Sequence, residues 1–158
     1  MSDKRKKIIN FQRDRLLEIT KKAGFSRDVK KVIKGPKNPA IEVSPSTSTI
    51  IWMRAGAELS PFETFESKEE IESTFVLELE VRLKPALTSD FSDEVEDFIR
   101  DIKRKLHDKP TMVDDALNPL AQWSAVSGVG KPEFIPDLGV VDVDINVTIE
   151  YVYNPTDP

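Results

Sequence analysis

The chain contains no cysteine and only one histidine. The absence of thiols excludes disulfides, thiol catalysis and cysteine-ligated zinc, and it fits a reducing compartment. Metal-centre and cofactor chemistry start from a poor supply of ligands, and no cofactor is expected. No run approaches the ~20 consecutive apolar residues that span a bilayer, which excludes a helical membrane protein. The N-terminus carries charges but no apolar h-region, so no Sec-type signal is expected. Hydrophobic residues make up 39%, low for a globular domain yet too high for a wholly disordered chain. At 158 residues a single core can form, with room for an arm or a long loop.

Charge is segregated along the chain. Residues 1–37 hold 13 Lys and Arg against 4 Asp and Glu, a net of +9. Residues 38–158 hold 10 against 24, a net of −14, and the two together give the overall −5. A basic head on an acidic body points to a polyanionic partner, either nucleic acid or the acidic face of a second copy. The plain alternative is a solvated helix whose lysines keep it soluble.

Residues 1–7 have no apolar period and are expected to fray, leaving residues 8–158 as one domain. Ile9, Leu16 and Leu17 fall near one helical face, with Thr20 and Ala23 continuing it, which predicts a helix from Ile8 to Lys22 stopped by Gly24. Residues 26–34 fit either a helical turn or a short strand. Gly35-Pro36-Lys37-Asn38-Pro39 is a break, and residues 44–49 read as a polar loop. A strand is predicted from Ile50 towards Leu59, followed by a charged turn within Phe62–Glu70.

Phe75, Leu77, Leu79, Val81 and Leu83 then alternate with Glu78, Glu80 and Arg82, the period of a half-buried strand ended by Lys84-Pro85. The second helix is the best specified element. Ser92 is its N-cap, Asp93 and Glu94 suit the positive end of the dipole, and Val95, Phe98, Ile99, Ile102 and Leu106 form one apolar stripe. Pro110 closes the segment. Residues 111–138 read as a long structured loop with a short helix near Val113–Leu117. Val141 to Tyr153 alternates again, and at ~3.3 Å per residue it would span ~43 Å. That length predicts that part of the strand pairs beyond the monomer's own sheet; the alternative is a long partner to residues 71–83. The expected fold is α+β: a mostly antiparallel sheet, two helices packed on one face and a long C-terminal strand.

Catalytic signals are weak. His107 sits at a helix C-terminus, where the dipole already favours a cation. The run SGVGKPEF has a superficial phosphate-loop look, but Ala125 holds the first glycine position and Pro132 the Ser/Thr position. Asp142 with Asp144, or Asp114 with Asp115, could contribute to a hard-cation site, yet neither pair has the ligand density of a calcium loop. Motifs of sequence-specific nucleic-acid readers are missing, so a basic head on nucleic acid would touch phosphates only. An enzyme is not expected, and no catalytic, cofactor or metal residues are assigned.

The order of features carries a resemblance. STFVLELEVRL is followed by DEVEDFIRDIKRKLHD, a DKPTM break, a variable loop and the closing VDVDINVTIEYVY; the front half offers a helix, then GPKNPAIEV and IIWMRAG. In this order the chain resembles the tail terminator (tail completion) proteins of long-tailed bacteriophages, over residues 8–154. The resemblance implies a non-catalytic virion protein of the tail and neck, assembled in the host cytoplasm. It implies a homo-oligomeric ring, hexameric in that family, that caps the tail tube, ends its polymerisation and joins it to head and neck connector proteins. Viral DNA would pass through the lumen without sequence-specific contact, and no membrane is involved.

An acidic lumen would repel phosphate over about a Debye length, ~8 Å at physiological salt. Glu78, Glu80, Asp142, Asp144 and Glu150 are the expected lining. Lys4, Arg5, Lys6, Lys7, Arg13, Arg15, Lys21 and Lys22 form the expected basic partner-contact surface. The competing expectations are a head–tail adaptor or another tube or neck subunit, and a nucleic-acid-binding module using that same basic head.

Overall fold

The computed structural model describes residues 3–41, 49–59, 71–86, 91–107, 112–113, 119–121 and 123–153. Helix α1 runs from Asp3 to Leu17 and α2 from Ser92 to His107. The strands are β1 (Lys31–Lys34), β2 (Thr49–Leu59), β3 (Ile71–Leu83), β4 (Met112–Val113), β5 (Pro119–Ala121), β6 (Trp123–Val129), β7 (Glu133–Ile135) and β8 (Val140–Tyr153).

The main sheet has the order β1-β2-β3-β8-β6, and β7 also pairs with β8. Among the described residues only β1 runs parallel to its neighbour, β2, and the other pairings are antiparallel. β4 and β5 form a separate two-stranded ladder. The architecture is the expected α+β one, with a parallel edge strand added.

Period-two patterning sets which side chains meet. β3 and β8 pair without a break from Ile71↔Tyr153 to Leu83↔Val141, so odd-numbered residues of both strands share one face and even-numbered residues the other. Phe75, Leu77, Leu79, Val81, Val143, Ile145, Val147 and Ile149 are buried on the odd face. They join Ile8, Leu16 and Ile19 from α1 and its following turn, and Val95, Phe98, Ile99, Ile102 and Leu106 from α2, in one core cluster. Burying each such large side chain is worth about 1.5–3 kcal/mol, so this face dominates the fold's stability.

The α2 stripe packs as its spacing predicts, with Asp93 and Glu94 in the first turn. α1 departs from expectation at both ends. It starts at Asp3, ahead of Ile8, because tertiary contacts hold the basic turn: Lys4 Nζ donates to the Val152 carbonyl and Arg5 Nη2 to the Gly56 carbonyl at 2.7 Å. The expected fraying therefore does not apply to residues 3–7. The helix also stops before Lys22. Ile19 N–H bonds back to the Leu16 carbonyl at 3.2 Å, tightening the last turn. Thr20 then caps a 3₁₀ turn at Lys21–Ala23, and Gly24 at φ +93° ends it, a conformation that favours glycine.

Two further expectations are corrected. β8 does not extend beyond the monomer's sheet. One side pairs with the whole of β3, and the other is shared by two short strands in line, β6 and then β7. Residues 111–138 accordingly hold four strands in place of the expected loop, and Val113 lies in β4. β4, β5 and β7 are hidden by their shortness, since two or three residues carry no measurable alternation, and β6, WSAVSGV, has no regular apolar period. Of residues 26–34, the last four form the strand alternative, β1 (Lys31–Lys34), and residues 26–30 are irregular. The polar loop up to Ser48, the charged turn, Pro110, and residues 114–117 of the expected short helix lie outside the described residues.

The even face is not bare throughout. Ile50, Trp52 and Val140 are buried there beneath Ile33, Ile41, Ile135 and Leu138. The break after β1 crosses this end of the sheet, starting from Gly35, whose N–H bonds to the Met53 carbonyl at 2.9 Å.

Candidate interaction surfaces

The even face of the sheet carries the expected acidic lining, and the structure divides it into three groups. Register puts Arg82 directly opposite Asp142, and the guanidinium grips the carboxylate with two parallel bonds, Nε–Oδ1 2.8 Å and Nη2–Oδ2 2.8 Å. Arg82 Nη1 also donates to the Pro39 and Ile41 carbonyls, both at 2.9 Å, and the guanidinium lies over the Trp52 ring at 5.7 Å. Lys37 Nζ reaches Asp142 Oδ2 at 3.1 Å. Arg82 is 2% and Asp142 7% exposed, so Asp142 cannot line a channel, which corrects that assignment. Desolvation pushes the Asp142 carboxyl up, but hydrogen bonds and charge from Arg82 and Lys37 outweigh it and hold the group below its ordinary value. The same bidentate bond raises the Arg82 guanidinium against its own desolvation.

Glu78 and Glu80 are partly exposed and share Arg54 of β2, at 2.9 Å and 3.2 Å. Their charge is thus partly offset. Asp144 and Glu150 are exposed and form no ion pair among the described residues. The register adds two carboxylates to this face that the expected lining omitted. Glu72 stands opposite Val152 and Glu133 opposite Asp142. Glu72 is legible, since it keeps the phase of Glu78 and Glu80; Glu133 is not, since β7 reads as loop. On β3, β7 and β8 the described charges of this face outside the Arg82 group are therefore all negative, and Arg54 of β2 pairs with Glu78 and Glu80.

The expected basic surface also splits. Arg5 is turned inward, 3.4 Å from Glu58 and over the Phe75 ring at 4.6 Å, and the Tyr151 hydroxyl donates to the same Glu58. Arg15 is buried and donates to the Lys105 carbonyl, capping the end of α2. Arg13 binds the neighbouring Asp14 at 3.1 Å. Arg5, Arg15 and Lys4 are committed within the monomer, which corrects their assignment to a partner surface; Arg13 stays part-exposed beside Asp14, and Lys6, Lys7, Lys21 and Lys22 are exposed. Lys31 and Lys34, both exposed at the ends of β1, add two cations that the expected basic surface omitted.

Inward-facing polar groups explain why α1 looks only weakly amphipathic. Gln12 is fully buried with neither amide atom hydrogen-bonded, and Ser124 Oγ is likewise buried and unpartnered.

His107 has a structural role: its Nε2 accepts the Val126 N–H at 3.0 Å, joining the end of α2 to the edge strand β6. It borders an open cleft of about 490 Å³ with Phe25, Arg104 and Lys105. Arg104 stacks on Phe25 at 4.1 Å, and Lys105 binds Glu18 at 2.6 Å. The glycine-rich run spans the end of β6, the short link to β7 and the start of β7, and Gly130 N–H donates to the Asp144 carbonyl at 2.7 Å. Among the described residues no three His, Asp or Glu side chains converge as metal ligands, and no helix is long and apolar enough to cross a membrane. Compared with known proteins, the chain matches no family model and no curated sequence.

Proposed function

We propose that this chain is a structural virion protein of a long-tailed phage. Copies form a closed ring that caps the tail tube, ends its polymerisation and joins it to the head and neck, with DNA passing through the lumen. One observation carries the proposal beyond the order of elements. α1 and α2 cover the odd face of the sheet, leaving an even face where, among the described strand residues outside the buried Arg82 group, Glu72, Glu78, Glu80, Glu133, Asp144 and Glu150 outnumber Arg54. Turned towards a lumen, such a face repels phosphate and lets DNA slide. Asp142 contributes by anchoring this sheet face rather than by lining it.

Mass in solution combined with negative-stain images tests the proposal. Closed rings of one defined mass are expected. Tubes that grow without limit would indicate a tail tube subunit instead, and a monomer at every concentration would overturn the proposal.

A further inference from the structure

The cleft of about 490 Å³ at the end of α2, lined by Phe25, Arg104, Lys105 and His107, lies on the helix side of the sheet. Its polar groups are already oriented. The Arg104 guanidinium lies over the Phe25 ring at 4.1 Å and donates through Nη2 to the Gly24 carbonyl at 3.2 Å. Arg104 is exposed and pairs with no carboxylate among the described residues, so its other N–H groups are open to a ligand. His107 Nε2 accepts the Val126 N–H, which leaves the hydrogen of the neutral ring on Nδ1 as a donor. Lys105 binds Glu18 at 2.6 Å and is neutralised by it. Arg104, Lys105 and Glu18 together therefore carry a net charge of +1. Cations at a helix C-terminus ordinarily serve the dipole. Here the buried Arg15 already does so through the Lys105 carbonyl, so the dipole does not account for the exposed Arg104.

We infer that this cleft receives one carboxylate side chain from a peptide segment of a partner protein, with Arg104 as the fork that grips it and His107 Nδ1–H as a further donor. A guanidinium that is already stacked and tethered loses little freedom on binding, and charge-assisted bonds of this kind are the strong ones. Phe25 gives an apolar wall for the methylenes next to the carboxylate. A single net positive charge matches one carboxylate, whereas a nucleic-acid backbone calls for a track of cations that neutralises successive phosphates. Lys22 and Lys103 are exposed close in sequence to Gly24 and Arg104 and would steer an acidic segment inward. Glu18 competes with the incoming carboxylate for Lys105. The cleft lies across the sheet from the acidic even face, so the inference stands apart from the ring reading.

The test titrates the full chain with a short peptide that holds one glutamate between two leucines, with its glutamine counterpart, with inorganic phosphate and with a short oligothymidylate. Nuclear magnetic resonance follows the Arg104 Nε–H and the His107 ring. The glutamate peptide is expected to move both signals. Binding should weaken about tenfold or more for the glutamine peptide, and likewise for the glutamate peptide on Arg104→Ala. Glu18→Gln should tighten the glutamate peptide by up to about fivefold, because it releases Lys105. Glu18 is exposed, so this variant leaves the core untouched and gives a change of opposite sign; circular dichroism checks that both variants fold. Equal binding of the two peptides, unchanged binding in Arg104→Ala, or no tightening in Glu18→Gln would overturn the inference. Phosphate that moves both signals as strongly as the glutamate peptide would make the cleft a general anion site. Oligothymidylate that displaces the peptide would assign the cleft to nucleic acid, and either result overturns the inference as well.

Discussion

Both faces of the β3–β8 pair are built from the same two strands, yet they answer to different physics. On the odd face, Phe75, Leu79, Val143 and Val147 belong to an unbroken apolar row that packs against two helices. On the even face the strands carry many charges, and what each charge does depends on its local cover. Where the segment ending at Ile41 crosses the sheet, Arg82 and Asp142 are dry, bidentate and held by backbone carbonyls. A few residues along the same strands, Glu78 and Glu80 meet Arg54 in contact with water. Identical alternation therefore yields a structural ion pair at one end and a solvated surface at the other, and burial decides between them.

The sharpest way to break that contrast is to remove one partner of the dry pair. Asp142→Ala leaves Arg82 buried with its principal counter-charge gone, and the expected loss is about 3–5 kcal/mol of folding stability. Chemical denaturation measures it. A loss below about 1 kcal/mol would mean that the pair is solvated after all, and that the two ends of the face do not differ. Acid provides a milder probe of the same carboxylate. Its folded-state value lies below the ordinary one, so its contribution is fully present above the unfolded-state value and is lost as pH falls through the folded one. Stability should therefore decline below about pH 4, and the Asp142-dependent part of that decline should vanish in Asp142→Asn. An unchanged acid profile in that variant would show that other carboxylates carry it.

Legibility in the sequence follows the same division. α2 is readable because its acidic first turn and apolar stripe agree with one another, although Ser92, read as its cap, is its first helical residue; the odd face of β3 and β8 is readable because strict alternation spans many residues. α1 is less readable because Gln12 and Arg15 occupy its buried side, which breaks the apolar periodicity that reveals a helix face. β7 escapes notice because three residues carry no alternation, and β6 because WSAVSGV has no regular apolar period, so both are specified by their partner β8 more than by their own residues. For the charged sites, alternation shows which residues share a face but not which are covered. The cover over Asp142 comes from the segment of Pro39 and Ile41, far away in sequence, so its pairing with Arg82 depends on a register that only the fold supplies. The same holds for Arg5 and Arg15, which look like surface cations in a basic run and become internal ties once α1 packs.

The smallest expected effect completes the comparison at the wet end. Arg54 is half-exposed, so Arg54→Ala should cost no more than about 1 kcal/mol of stability, and less as salt is raised. Its consequence should lie on the surface instead. Removing this cation leaves Glu78 and Glu80 without their shared partner and makes the even face more negative, with Glu72 on the same strand and Glu150 on the neighbouring β8. Thermal denaturation at two salt concentrations checks the stability half, and electrophoretic mobility of the folded protein checks the charge. A loss comparable to that of Asp142→Ala would mean that the Arg54 group is covered in solution by something the monomer does not provide. Under the proposed ring, the neighbouring copy is the natural candidate, and repeating the measurement over a range of protein concentrations separates the two causes: a cost intrinsic to the monomer is independent of concentration, and one arising from an interface varies with it.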